Sequence, residues 1–272
     1  MKKYTSYPYI LWNIIFIVCP LLLIVYFSVT KSVIDPSVTL EHYKRFMDPL
    51  YINILFRSIK LAAFCTILCL ILGYPLAYIL SGLEHRKRNI LVMLLVLPMW
   101  MNFLLRTYAW MAILGKHGFI NSFLTWLSLP PLKLLYNDGA VLLGMVYNFL
   151  PFMVLPIYTI LNKMDDSLIE AASDLGATKL QIFYKVIFPL SMPGVFSGIT
   201  MVFMPAVTTF VISRLLGGGQ YMLIGNLIEQ QYLTVGDWNF GSAVSIIMII
   251  IILITMAFMS KVDKEEGGGG LW

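Results

Sequence analysis

Six stretches of this chain are long enough to bridge the ~30 Å hydrocarbon core of a bilayer as helices, and they carry no formal charge apart from a single arginine. They run from Tyr4 to Thr30, Leu61 to Leu83, Asn89 across Arg106 to Gly115, Gly139 to Asn162, Val186 to Ser213 and Trp238 to Ser260. Backbone groups in hydrocarbon find no water to bond, so such a segment must be a helix or belong to a closed barrel. A barrel would show alternating segments of about 10 residues; these are uniformly apolar and much longer. The chain is therefore read as an all-α membrane protein with six transmembrane helices. Composition agrees, because 59% hydrophobic against 12% charged residues cannot be hidden in one water-soluble core, and that balance also excludes disorder and collagen.

The spans are expected at 8–30, 61–83, 89–114, 139–161, 190–213 and 240–260, in a single domain over 1–260 with a flexible tail over 261–272. Two shorter charge-free stretches, His117 to Leu132 and Leu215 to Ile228, contain Pro130-Pro131 and Gly217-Gly218-Gly219 and are expected to be interfacial loops. Cys19, Cys65 and Cys69 all lie in apolar runs, and the pair at i,i+4 reads as small packing residues rather than a metal or redox site. The net charge of +5 comes from basic residues flanking the spans, a pattern that sets orientation and does not call for nucleic acid. Arg86, Lys87 and Arg88 crowd the very short loop after the second span, which favours a cytoplasmic loop there and cytoplasmic termini. The first span follows Lys2 and Lys3 as a signal peptide would, but it is long and shows no small-residue cleavage site, so it reads as a retained helix. The Gly267-Gly268-Gly269-Gly270-Leu271-Trp272 end is low in complexity and is given no function.

The sizeable hydrophilic segment between the fourth and fifth spans, Lys163 to Lys185, has a specific pattern. Ser167 stands three residues before Glu170, as in a capping box, and opens an expected helix Leu168 to Leu175 with small residues at Ala171 and Ala172. Gly176 ends it where a left-handed turn is tolerated. Thr178 and Gln181 repeat the cap spacing, and a second helix carrying Phe183, Val186 and Ile187 runs to Pro189, which is expected to interrupt the backbone ladder as the chain enters the membrane. The product is a compact helix–turn–helix joined to a membrane span.

At Glu170-Ala171-Ala172, Gly176 and Pro189 the sequence resembles the EAA loop of binding-protein-dependent ABC transporter permeases, with Val186 and Phe188 standing where that pattern has Ile and Leu. Further residues resemble the spermidine/putrescine ABC transporter permeases, the B-type of their two permease subunits more closely. These are Asp48-Pro49-Leu50-Tyr51, Leu72-Gly73-Tyr74-Pro75, Pro98, Trp100, Asn102, Arg106, Tyr108, Leu150-Pro151-Phe152-Met153, Asp174-Leu175-Gly176-Ala177, Leu223-Ile224-Gly225-Asn226 and Asp237-Trp238. The resemblance implies a type I permease domain in a bacterial inner membrane, whose cytoplasmic loop docks on an ATPase dimer through Glu170, Ala171, Ala172, Asp174, Gly176, Phe183 and Pro189. It also implies a second, C-type permease and an extracytoplasmic polyamine-binding protein.

The residues themselves bear on energy and pathway. No G-x-x-x-x-G-K-[ST] loop is present, so the chain is expected to bind no cofactor, with ATP and Mg held by a partner ATPase. No Asp or Glu enters a span, which counts against a proton-coupled carrier, although sodium coupling through carbonyls stays open. Polar groups in hydrocarbon nominate a path: Asn102, Arg106, Asn148, Thr208, Thr209 and Ser213, with Trp100, Tyr108, Tyr147 and Phe210 as aromatic candidates. Each has a plain alternative: hydroxyls bond back to their own helix, Arg106 snorkels, and Trp and Tyr form an interfacial belt. A polyamine wants carboxylates and aromatic faces, yet Arg214 stands just before the glycines, where a guanidinium repels a cation unless Glu229 or Asp237 pairs with it. Pro151, Pro156 and Pro205 are expected to shape or hinge their helices. The expected function is a non-catalytic permease subunit of a polyamine importer; another small solute, or a secondary carrier working without an ATPase, is the alternative.

Overall fold

The computed structural model describes residues 7–266 apart from Val33 and Gln220, with side chains from 9 to 257. Ten helices are labelled here: α1 Tyr9–Val29, α2 Pro49–Ser81, α3 His85–Trp100, α4 Phe103–Leu114, α5 Asp138–Asn162, α6 Asp166–Asp174, α7 Lys179–Thr208, α8 Val211–Leu216, α9 Ile224–Gln230 and α10 Trp238–Glu266. Among the described residues, α1, α2, α5, α7 and the first twenty residues of α10 are each long and apolar enough to cross a membrane.

The core is a bundle of α2, α5 and α7. Without a hydrophobic drive between helices in lipid, close approach depends on small residues. Gly73 on α2 and Gly198 on α7 both face Met153 of α5, which is fully buried between them. Cys65 and Cys69 are buried in the same seam as free thiols, and the Cys69 Sγ lies 3.9 Å from the Val146 carbonyl, so their packing role holds. α1 lies outside the bundle and packs along α10. Its end is fastened by Asn239, whose amide donates to the carbonyls of Phe27 and Thr30, both at 2.9 Å.

The bundle has two distinct ends. At one, α2 finishes beside the hairpin between α5 and α7; at the other, the starts of α2, α5 and α10 meet the segment that follows α7.

Several expectations are corrected. The helix of the second span begins at Pro49, before the charge-free run that starts at 61, because Asp48 caps it by accepting from the Leu50 amide and Pro49 fits the first turn; the helix simply carries Arg57 and Lys60 along. The third span is not one helix: α3 and α4 meet at a 93° bend. Pro98 tightens the end of α3 into a 3₁₀ turn, Met101 is extended, and Asn102 starts a new helix by accepting from the Leu104 amide at 2.8 Å. The fifth span likewise stops at Thr208, with Thr209 extended before α8. The two expected loops contain helices, Phe119–Trp126 and α9. The backbone of α10 stays helical to Glu266, so the expected flexible tail starts as helix; residues 267–272 lie outside the described residues.

Candidate functional site

Two irregular segments flank α7. The first is the hairpin of α6 and the start of α7. Its helix opens two residues earlier than expected: Asp165, not Ser167, is the cap, and its carboxylate accepts from the Ser167 amide at 3.0 Å. That amide holds the Asp165 carboxyl below its ordinary range. At the other end of α6, the Gly176 amide donates to Ser173 and the Ala177 amide to Ala172, at 2.9 and 3.1 Å, with Gly176 at φ +81°. This pairing is a Schellman closure, and it needs the left-handed residue that glycine supplies. The Thr178 cap is as expected: the Gln181 side chain accepts from the Thr178 amide at 2.8 Å and the Thr178 hydroxyl accepts from the Gln181 amide at 3.4 Å.

Contrary to the expected interruption at Pro189, the chain then passes without a break into the membrane. A wide π turn, Phe183–Ile187, accommodates Pro189, so α7 continues from Lys179 to Thr208. Phe183 is half-buried and stacks edge-on against Tyr74 and Tyr78 of α2, with centroids 5.9 and 5.5 Å apart. These contacts pin the hairpin to the end of the bundle. No residue of α6 is buried. Glu170, Ala171, Asp174 and Gly176 are exposed, Ala172 is half-buried and Pro189 is exposed. Leu175 is 89% exposed and Leu180 and Tyr184 are also open, an apolar surface on a polar loop that the sequence reading did not single out.

The second segment begins where α7 breaks. Asn226 fastens it: its amide donates to the Phe210 carbonyl at 2.8 Å, while its oxygen accepts from the Ser213 hydroxyl and from the Leu223 amide. Gly225 lies so close that a Cβ there would fall 2.3 Å from the Thr208 carbonyl oxygen. The Ile224 amide donates to the Ser58 hydroxyl of α2 at 2.8 Å. Thr208 bonds back to Met204. Of the nominated path residues, Thr208, Thr209, Phe210 and Ser213 thus gather at one break, around Gly225 and Asn226. Neither of these two was foreseen as a site residue, although an Asn in an apolar stretch was a visible signal.

The remaining candidates disperse. Arg106 on α4 is about nine-tenths buried, with its guanidinium 5.9 Å from the Phe103 ring centroid and Nε without a partner. Asn148 is buried on α5, donates to the Gly144 carbonyl at 2.8 Å and leaves its own oxygen unbonded. Tyr147 meets Trp110 edge-on at 5.4 Å. Asn102 and Tyr108 are exposed, and Trp100, 83% exposed, lies across the α3–α4 bend beside Tyr158. Arg214 is paired with Glu229 at 2.9 Å, whereas Asp237 is taken by Arg45 at 2.7 Å. The guanidinium that would repel a cation is thus neutralised by one of its two expected partners.

Comparison with known proteins places this architecture. Residues 70–265 match the family described as binding-protein-dependent transport system inner membrane component. The spermidine/putrescine transport system permease protein PotB of Escherichia coli (strain K12) is 42% identical over 88% of this chain and 90% of its own length. The protein of the same name from Haemophilus influenzae is 37% identical over 93% and 91%. In structure, a bacterial ABC transporter involved in the import of the acidic polysaccharide alginate superposes with a TM-score of 0.83, covering 97% of this chain and 96% of that one at 15% identity, a likeness of fold.

Proposed function

Because the chain belongs to the family of binding-protein-dependent transport system inner membrane components, we propose that it is one of two permease subunits of an ATP-driven importer for spermidine and putrescine. The cargo rests on the relatives that share its length. The mechanism rests chiefly on one observation: an exposed hairpin, closed by its own caps, that runs without interruption into a membrane helix. Such an element moves as a lever, since any push on α6 reaches α7 through a continuous backbone.

The proposed partner at the hairpin is the dimeric ATPase that binds ATP and Mg. Glu170, Asp174 and the apolar Leu175 and Tyr184 face outward and offer it a mixed surface. The hairpin lies in the cytoplasm, as do both termini, and a second permease completes the path. An extracytoplasmic binding protein delivers the solute at the opposite end. There Glu229, half-buried beside Arg214, is the carboxylate that meets it. The chain itself performs no catalysis.

Reconstitution of the chain with the second permease, ATPase and binding protein tests this. Spermidine-loaded binding protein should stimulate ATP hydrolysis and drive accumulation in vesicles. Glu170→Ala should uncouple the ATPase while the purified subunit keeps its unfolding midpoint. Uphill transport by the chain without ATPase would defeat the proposal.

A further inference from the structure

A cavity of about 740 Å³ opens between residues 56–64 of α2 and the first turn of α5, at the end of the bundle opposite the hairpin. Its wall has two chemical halves. Phe56, Leu61 and Phe64 of α2 and Leu142 of α5 make an apolar trough; Phe56 and Phe64 are 65% and 50% exposed, with no protein covering them. Arg57, Lys60, Asp138 and Tyr221 make a polar rim at one end of that trough.

The rim carries an excess of donors. Arg57 bonds Asp138 at 2.8 Å and lies over the Tyr221 ring, 4.1 Å from its centroid. That pair is internally neutral. Lys60, one turn further along α2, is exposed and has no hydrogen bond or ion pair among the described residues. The Tyr221 hydroxyl is buried against Asp138 and, with Arg57, serves to hold that carboxylate.

The position along α2 is equally specific. The charge-free run starts at Leu61, directly after Lys60, so the rim lies where headgroups meet hydrocarbon and the trough lies beneath it. A free anion would satisfy the basic groups but leave the trough bare; an apolar protein segment would fill the trough but leave Lys60 unanswered. A molecule with a phosphate at one end and an alkyl chain at the other answers both. We propose that this groove is a binding site for one glycerophospholipid, its phosphodiester held by Lys60 with help from Arg57 and one acyl chain laid along Leu61, Phe64 and Leu142. The site is independent of the transported solute.

A photoreactive p-benzoylphenylalanine replacing Phe64 in the full assembled complex, illuminated in native membranes, tests the assignment by mass spectrometry of the chain. The expected product is a phospholipid adduct. Lys60→Gln should lower its yield on the order of fivefold, the worth of one basic group at a membrane surface, and Lys60→Arg should restore it. Because both variants are at an exposed position, protein recovery serves as the check on folding. A cross-link from this position to another polypeptide would overturn the proposal and make the groove a subunit interface. So would a lipid adduct indifferent to Lys60→Gln, which would reflect ordinary bilayer contact.

Discussion

The segments on either side of α7 are both short helices separated by glycine-bearing turns, but they are held by opposite means. In the 163–189 hairpin every closure is local: Asp165 bonds a residue two places on, Gly176 and Ala177 bond back into their own helix, and Thr178 and Gln181 bond each other. In the 209–237 segment the closures are remote: Asn226 reaches back to Phe210 and Ser213, Gly225 lies against Thr208, and Ile224 bonds Ser58 on another helix. A locally closed element keeps its shape with its surface free, which is what docking of a soluble partner asks of it. A remotely closed element is a fixture of the bundle and resists any change in the helices it staples.

The contrast can be broken most directly at Gly225. A Cβ there meets a backbone carbonyl, which cannot swing aside, so Gly225→Ala should lower the stability of the whole subunit by about 3 kcal/mol, read as a drop in thermal midpoint in detergent. An unchanged midpoint would mean that the staple is loose. Gly176→Ala should act differently, because nothing lies within 4 Å and only the φ of +81° is at stake. A cost of about 1 kcal/mol should appear as faster amide exchange across 166–182, with the global midpoint almost unmoved. If Gly176→Ala unfolds the subunit cooperatively, the hairpin is not the separate unit described here.

The smallest effect concerns pH. Asp165 has its folded pKa depressed by the Ser167 amide, so its capping contribution is present above the unfolded value of about 3.9 and is lost as pH falls through the folded one. Exchange at Ser167 and Leu168 should therefore rise below about pH 4, beyond the intrinsic trend, while the Asn226 staple shows no such change. Asp165→Asn, which keeps a capping oxygen without the titration, should abolish the acid dependence.

How far the sequence could be read follows the same division. The expected turn at Gly176 and the Thr178 cap depend on residues within a few places of one another, and they stand as expected; the interruption expected at Pro189 does not occur, because a π turn absorbs the proline. Misplacing the first cap at Ser167 was an error of two residues, between neighbours with similar capping chemistry. The breaks at Met101–Asn102 and at Thr209 were missed because hydropathy registers apolar length and is blind to direction; a bent helix is as apolar as a straight one. Asn102, nominated for the path because it lies in an apolar run, also caps the helix after the bend, a role that hydropathy does not register.

Sequence by itself determined that this chain lives in a membrane as helices, where its spans roughly lie, and that one polar hairpin closes on itself, because burial in hydrocarbon and helix capping are decided by composition and near neighbours. Only the tertiary structure decided that α7 breaks at Thr209 under a staple from Asn226, that Arg214 pairs with Glu229 while Asp237 pairs with Arg45, and that Lys60 stands free above an apolar trough. Those outcomes turn on which distant side chains arrive at the same place, and no short-range rule contains that choice.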